Sequence, residues 1–150
     1  MKSLSSSDNI RSKILEIIEY YNGNTALSLI PVLNMIQDTE GYIKKERIKE
    51  IAEILKINEN RIYETLTFYH FLTLDKSEKR ILYVCRGISC LLEGADEIIE
   101  YLKDNRDRLN FDFRECECIG LCDFAPAGLF DFNPVKNLDV KKIKELNEKV

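Results

Sequence analysis

The sequence predicts a mixed helix and sheet protein, of the α+β or α/β class, in which a small N-terminal helical bundle precedes a β-α-β-β-α domain. Two observations predict it. Up to Leu74 the apolar residues repeat with the period of a helix, whereas after residue 80 short segments rich in β-forming or alternating residues appear. The charged segment 75–79 lies between these regions and indicates a linker. We therefore expect two domains, residues 1–75 and 76–150.

The first domain is predicted to contain four helices. One apolar stripe begins at Ile10 and another at Ile48, and Gly23 and Gly41 lie where helices are expected to end. Pro31 falls early in the second helix, where a missing amide hydrogen costs least. The predicted helices cover residues 8–21, 26–38, 44–55 and 59–71. Their short loops favour an antiparallel or orthogonal bundle.

The second domain is predicted to begin with a strand at residues 80–85, which are rich in β-forming side chains. A helix is expected next, over residues 91–104. Its apolar stripe consists of Leu91, Leu92, Ala95, Ile98, Ile99 and Leu102. Alternating apolar and polar residues predict strands at 111–114 and 129–132, and a further short strand is expected near Val135. Asp139 can cap the last helix.

Composition excludes some classes of function. The net charge of −4 and the isoelectric point near 5.2 argue against nucleic-acid binding, which needs a concentrated basic surface. The sequence has no secretory signal after Met1 and no run of roughly 18 to 20 apolar residues, so we expect a soluble cytoplasmic protein without direct membrane insertion. In that reducing compartment, closely spaced cysteines indicate metal or redox chemistry before disulfides.

Four cysteines form two close pairs, Cys85 with Cys90 and Cys118 with Cys122. The segment between the pairs can hold one helix and one strand, so the fold can bring the pairs together. Each pair can then chelate one metal ion, as the two irons of a [2Fe–2S] cluster require. Both loops also contain a glycine, which lets the backbone approach inorganic sulfur and point amide groups at it.

Spacing leaves three chemistries open. A plant-type ferredoxin is excluded, because it needs a third cysteine where this chain has Glu93. A [2Fe–2S] cluster, a zinc ion and a thiol or disulfide pair all remain, since zinc more often uses pairs separated by two residues but tolerates four.

Cys116 is a fifth cysteine, and spacing alone allows it to replace Cys118, because residues two apart on a strand share a face. The tighter loop from Cys118 to Cys122, with Gly120 inside it, favours Cys118. Cys116 is then expected to be a buried strand thiol.

The sequence around these cysteines resembles a known family. The motifs that carry the resemblance are VCRGISC at 84–90, LLEGADEI at 91–98 and ECIGLCDFAP at 117–126, with LIPVL at 29–33, GYI at 41–43 and RIYETLTFY at 61–69 in the helical half. They are similar to the thioredoxin-like [2Fe–2S] subunit of the NADH-oxidising module of respiratory complex I. Homologous small subunits occur in NAD-linked electron-bifurcating hydrogenases and formate dehydrogenases. The resemblance covers about residues 25 to 150.

The resemblance implies that the second domain is thioredoxin-like and that Cys85, Cys90, Cys118 and Cys122 bind the irons and thereby the cofactor. Cys116 lies outside this set. The implied role is that of a one-electron carrier within an NAD(H)-dependent oxidoreductase, with no catalytic residue of its own. FMN and NAD(H) are expected only on the partner subunit, and the sequence indeed contains neither a G-x-G-x-x-G motif nor a P-loop.

The implied partners are an FMN-binding, NADH-oxidising flavoprotein subunit and further iron–sulfur subunits. The compact connector at residues 91–117 favours the hydrogenase or formate dehydrogenase type over complex I. Two other interpretations remain: a zinc-stapled interaction module without redox activity, and a self-sufficient thioredoxin-like ferredoxin homodimer.

Charged residues near the cysteines are predicted to hold the reduction potential low. Glu115, Glu117 and Asp123 add negative charge near a cluster that is already anionic, whereas Arg86 acts in the opposite direction.

Overall fold

The computed structural model describes residues 6–150, with side chains from residue 9 onward. The chain divides into two compact units with the boundary between Lys76 and Ser77. We call the described residues up to Lys76 the helical unit and residues 77–150 the sheet unit. Separate domains would also have to fold independently. The assignment of residues 1–75 and 76–150 as two domains therefore stays a prediction.

The described part of the helical unit contains the predicted helices. They are α1 (Ser6–Tyr20), α2 (Thr25–Glu40), α3 (Lys45–Leu55) and α4 (Glu59–Phe68). Asn24 caps α2 by accepting a hydrogen bond from the Leu27 amide at 3.2 Å, and Gly41 ends it at a φ of +82°. The unit has its own apolar core, which includes Ile14, Leu33, Ile51 and Ile62 among other buried side chains. α4 stops three residues short of the predicted residue 71.

The sheet unit is built on a four-stranded sheet with the strand order β2-β1-β3-β4. Its elements are β1 (Ile81–Cys85), α5 (Ile88–Leu92), α6 (Ala95–Asp104), β2 (Asp112–Cys116), β3 (Gly128–Phe130), β4 (Asn133–Val135) and α7 (Val140–Glu148). β1 and β2 are parallel, and the other pairs are antiparallel. The predicted fold class is confirmed, including the short strand near Val135. Asp139 caps α7 as expected, since its carboxylate accepts from the Lys142 amide at 2.7 Å.

The single helix predicted over residues 91–104 is wrong. Gly94 adopts a φ of +90°, which divides the segment into α5 and α6. The later residues of the stripe, from Ala95 to Leu102, are buried as expected, but Leu92 is 81% exposed. The reason is that a left-handed residue changes the direction of the helix axis, so residues on either side of it no longer share one face.

β1 lies inside the sheet and separates its two faces. Leu82 and Val84 pack into the core that α6 and α7 cover, whereas Tyr83 and Cys85 belong to a second cluster on the opposite face. Gly128 on β3 opposes Val84, and a Cβ atom there would lie 2.5 Å from the Tyr83 carbonyl oxygen. The close approach of β1 and β3 therefore requires glycine at position 128.

Within the described residues, no helix is both long and apolar enough to cross a bilayer.

Candidate metal centre

The first cysteine loop begins where β1 ends. Cys85 is the last residue of β1 and is 2% exposed. The Gly87 amide turns back and donates a hydrogen bond to the Cys85 sulfur at 3.3 Å. Cys90, also 2% exposed, lies within α5. Both sulfur-bearing residues of this loop are therefore shielded from solvent.

The second cysteine loop begins where β2 ends. Cys118 and Cys122 are both exposed, and their sulfur atoms lie 3.7 Å apart. Gly120 between them has a φ of +76°, a conformation that side chains other than glycine rarely adopt. Its backbone amide interacts with the Cys118 sulfur. The loop therefore places the Gly120 amide and the Cys122 thiol beside the Cys118 thiol.

Parallel pairing of β1 and β2 brings the two loops together, because the carboxyl ends of parallel strands meet at one edge of a sheet. Cys85 is in register with Cys116, and the Arg86 amide donates to the Cys116 carbonyl at 2.8 Å. A Cβ atom at Gly87 would lie 3.1 Å from Cβ of Cys118. Glycine at this position therefore keeps room between the loops.

The four predicted ligands lie in one neighbourhood. The Cys85 thiol interacts with the thiols of both Cys90 and Cys118, and Cys90 is within electrostatic reach of Cys122. A third segment also borders them: the Ala127 carbonyl accepts from the Cys85 amide at 3.0 Å, and the Ala127 amide interacts with the Cys90 thiol. Sequence reasoning gave Ala127 no role at the site, although it directly follows the A-P pair of the second cysteine motif.

The separation of the Cys118 and Cys122 sulfurs suits tetrahedral thiolate coordination. With metal–sulfur bonds of about 2.3 Å, two thiolates on one tetrahedral ion are about 3.8 Å apart, close to the 3.7 Å between Cys118 and Cys122. Over the described residues, no three or more His, Cys, Asp or Glu side chains are grouped as potential ligands of a metal ion. A [2Fe–2S] cluster takes two protein ligands at each iron, and the separation of Cys118 and Cys122 fits one such iron.

Cys116 differs from the other cysteines in its surroundings. It is 3% exposed, ends β2 beside Cys85, and belongs to the cluster of buried side chains on that face. Burial raises the pKa of the Cys116 thiol to about 12. Cys118 shows the reverse, since the Gly120 amide holds the pKa of its thiol below the ordinary value.

Two of the charged residues near the cysteine loops, Glu115 and Arg86, form ion pairs. Glu115 is paired with Arg86 at 3.1 Å and with Lys103 at 2.9 Å, and Arg86 also lies 3.6 Å from Asp96. The charges of Glu115 and Arg86 therefore largely compensate each other. Of the side chains predicted to shift the potential, Glu117 and Asp123 are both exposed and each lies next to a cysteine of the second loop.

Replacing Asp123 with asparagine is expected to raise the reduction potential of the metal centre. In water, two unit charges about 8 Å apart interact with an energy of about 0.5 kcal/mol. For a one-electron couple, this energy corresponds to a shift of roughly 20 mV in the reduction potential. The measurement is a redox titration followed by electron paramagnetic resonance. Asp107→Asn is the matched control, because Asp107 is exposed in the turn before β2, whereas Cys116 lies at the other end of that strand. Equal potentials for wild type and Asp123→Asn would contradict the electrostatic prediction.

The chain is similar to proteins of one family. The family described as "Thioredoxin-like [2Fe-2S] ferredoxin" matches residues 14–150. The sequence is 32% identical over 108 residues to NADH-quinone oxidoreductase subunit 2 of Thermus thermophilus, over 66% of this chain and 59% of that protein. It is 31% identical over 121 residues to an NADH-quinone oxidoreductase subunit of Rickettsia conorii, over 74% of this chain and 72% of that protein.

Two further proteins are similar to the chain. An NADH-quinone oxidoreductase subunit of Rickettsia felis is 30% identical over 66% of this chain and 65% of that protein, so the chain spans less than two thirds of this relative and of the Thermus relative. A solved NAD+-reducing [NiFe]-hydrogenase in the air-oxidised state matches with a TM-score of 0.60 at 21% identity, over 78% of this chain and 22% of that chain. This last match concerns the fold alone. The predicted resemblance is confirmed.

Proposed function

Because this chain belongs to the thioredoxin-like [2Fe–2S] ferredoxin family, whose cofactor is a [2Fe–2S] cluster, we propose that it is an electron-transfer subunit that holds this cluster with Cys85, Cys90, Cys118 and Cys122. The observation that carries the proposal is the pairing of β1 with β2, which brings one cysteine pair beside the other at a common edge of the sheet.

The residues of the two loops have distinct roles in this proposal. The cluster, when bound, supplies a site that accepts and releases one electron. The buried Cys85 and Cys90 anchor it to the fold and keep water away on their side. The Gly87 and Gly120 amides point at thiolate sulfur and offset part of its negative charge. Because Cys118 and Cys122 are exposed, an electron donor can approach the cluster from the side of the second loop.

The proposed partners are an FMN-binding flavoprotein that oxidises NADH and further iron–sulfur subunits. The names of the relatives support this proposal, since they are subunits of NADH-quinone oxidoreductases. The potential of the centre is proposed to be low. The proposed location is the cytoplasm, where a reducing environment keeps metal-binding thiols from forming disulfides. The proposed type of complex is an NAD-linked hydrogenase, a formate dehydrogenase or an NADH-quinone oxidoreductase of the complex I type.

Chemical analysis of protein purified without oxygen tests the cofactor. We expect two iron and two acid-labile sulfide per chain, and a signal in electron paramagnetic resonance only after reduction by one electron. One zinc per chain without sulfide would instead support a zinc-stapled interaction module.

Redox behaviour with a partner tests the role. NADH is expected to reduce the centre only when the flavoprotein is present, because the sequence lacks the common nucleotide-binding motifs. The control is chemical reduction of the isolated chain by dithionite, which needs no partner. A dimer that exchanges electrons with carriers without any flavoprotein would support the self-sufficient ferredoxin.

A further inference from the structure

The two cysteine pairs differ in their access to solvent. Cys85 and Cys90 are each 2% exposed, whereas the two cysteines of the second loop, Cys118 and Cys122, are both exposed. We call Cys118 and Cys122 the outer pair. The sulfur atoms of the outer pair lie 3.7 Å apart. An oxidant in solution therefore reaches two adjacent thiols without any opening of the fold.

The outer pair is also close to the geometry of a disulfide bond. Bonded sulfur atoms are about 2.05 Å apart, so the two atoms need to approach each other by roughly 1.7 Å. Both side chains lie on an exposed loop, where they can rotate about their Cα–Cβ bonds to close this gap. Gly120, at a φ of +76°, turns the backbone between them. The loop can therefore accept the bond with little change in the backbone.

The other cysteines are less suited to oxidation. Cys85 competes for Cys118, since their thiols interact. However, Cys85 is buried, and its sulfur accepts a hydrogen bond from the Gly87 amide at 3.3 Å. Thiol exchange requires access and an approach along the bond that breaks, which the exposed Cys122 offers and the buried Cys85 does not. Three cysteines are therefore expected to resist an oxidant: Cys85, Cys90 and Cys116.

We propose that the outer pair is a site of reversible oxidation, at which Cys118 and Cys122 form a disulfide by exchange with a small-molecule disulfide when no cluster is bound. The three buried cysteines stay reduced. The site responds to a loss of the reducing environment that otherwise keeps the thiols free. A disulfide also spares these sulfurs from the higher oxidation states that cannot be reversed by thiols.

Exchange with glutathione disulfide forms the bond in two balanced steps. One thiolate of the outer pair attacks the S–S bond of glutathione disulfide, forms a mixed disulfide and releases one glutathione. The other thiolate then attacks the protein sulfur of the mixed disulfide and releases the second glutathione. The chain loses two electrons and the oxidant gains them. The two thiol protons pass to the two released glutathione molecules.

The disulfide and the cluster compete for the same sulfur atoms. With the outer pair oxidised, one iron of a [2Fe–2S] cluster would have no protein ligand. A bound cluster is therefore expected to protect the outer pair, and oxidation is expected to block cluster binding until a thiol reductant reopens the bond. This competition rests on the proposed function, whereas the disulfide itself does not.

Peptide mapping of the full-length chain tests the disulfide. Metal is removed with a chelator and a thiol reductant without oxygen, the reductant is removed, and glutathione disulfide is added before N-ethylmaleimide blocks the remaining thiols. Trypsin places Cys85 and Cys90 in separate peptides and keeps the outer pair together with Cys116 in the peptide 115–136. We expect this peptide to lose two hydrogens and to gain one maleimide group, with no cross-link to another peptide.

Single variants identify the two sulfur atoms that are joined. Cys116→Ser is the matched control and is expected to form the internal disulfide as the wild type does. Cys118→Ser and Cys122→Ser are each expected to form less than about a tenth of it, because the remaining thiols are not both accessible. Circular dichroism checks that each metal-free chain is folded. A cross-link to the peptide of Cys85, a mixture of pairings or an internal disulfide in Cys122→Ser would overturn the proposal.

The chain purified with its cluster tests the competition. Its outer pair is expected to be oxidised by glutathione disulfide at least about ten times more slowly than in the metal-free chain, because iron-bound thiolates are not free to attack. Equal rates would show that the cluster does not use these sulfurs. If the purified chain contains no iron and sulfide, the proposed function and the competition both fail, while mapping of the metal-free chain still decides the disulfide.

Discussion

Single replacement of Cys85, Cys90, Cys118 or Cys122 by serine is expected to reduce the iron content from two per chain to less than about a tenth of that value after purification. Cys116→Ser is expected to keep both irons and both sulfides. Two thiolates hold each iron, so the loss of one opens its coordination shell. Cys116, by contrast, points into the buried cluster at the end of β2.

Measurements of iron, sulfide and visible absorption on the five variants check this prediction. Circular dichroism serves as the control that each variant is folded before its metal content is compared. Loss of the cluster in Cys116→Ser, or a full cluster in Cys118→Ser, would show that the proposed ligand set is wrong. The first result would place Cys116 among the ligands, which spacing alone also allows.

Gly128→Ala is expected to destabilise the sheet unit and to reduce its cluster content. The added Cβ atom would lie 2.5 Å from the Tyr83 carbonyl oxygen, and a backbone atom inside a sheet cannot move away without breaking the pairing of β1 with β3. Overpacking of this kind costs about 1 to 3 kcal/mol, or a decrease of roughly 2 to 12 °C in the melting temperature at this size. Because the neighbouring Ala127 holds the Cys85 amide, the metal centre is disturbed as well.

Thermal unfolding followed by circular dichroism, together with iron analysis, measures both effects. Gly23→Ala is the control. Gly23 also has a positive φ, +77°, but no atom lies within 4 Å of an added Cβ. This variant should lose only about 1 kcal/mol from backbone strain and keep its iron. A melting temperature for Gly128→Ala above that of Gly23→Ala would contradict the argument from close approach.

Local patterns were sufficient for most of the secondary structure. The helical periods beginning at Ile10 and Ile48, the β-rich segment before Cys85 and the cap at Asp139 all depend on residues near one another in the chain. Such preferences act over a few residues and can be recognised without the fold. The prediction was wrong at Leu92, because Gly94 can continue a helix or break it, and packing around α6 decides which conformation it takes.

Cysteine spacing and the neighbouring motifs were enough to predict two cysteine pairs on loops after strands and to recognise the family. They did not predict that β1 and β2 lie parallel and adjacent, that Cys85 and Cys90 are buried while Cys118 and Cys122 are exposed, or that Ile88 and Leu92 face outward. Spacing along the chain constrains only residues that are close in sequence. Burial and the meeting of distant loops depend on how the whole sheet unit packs.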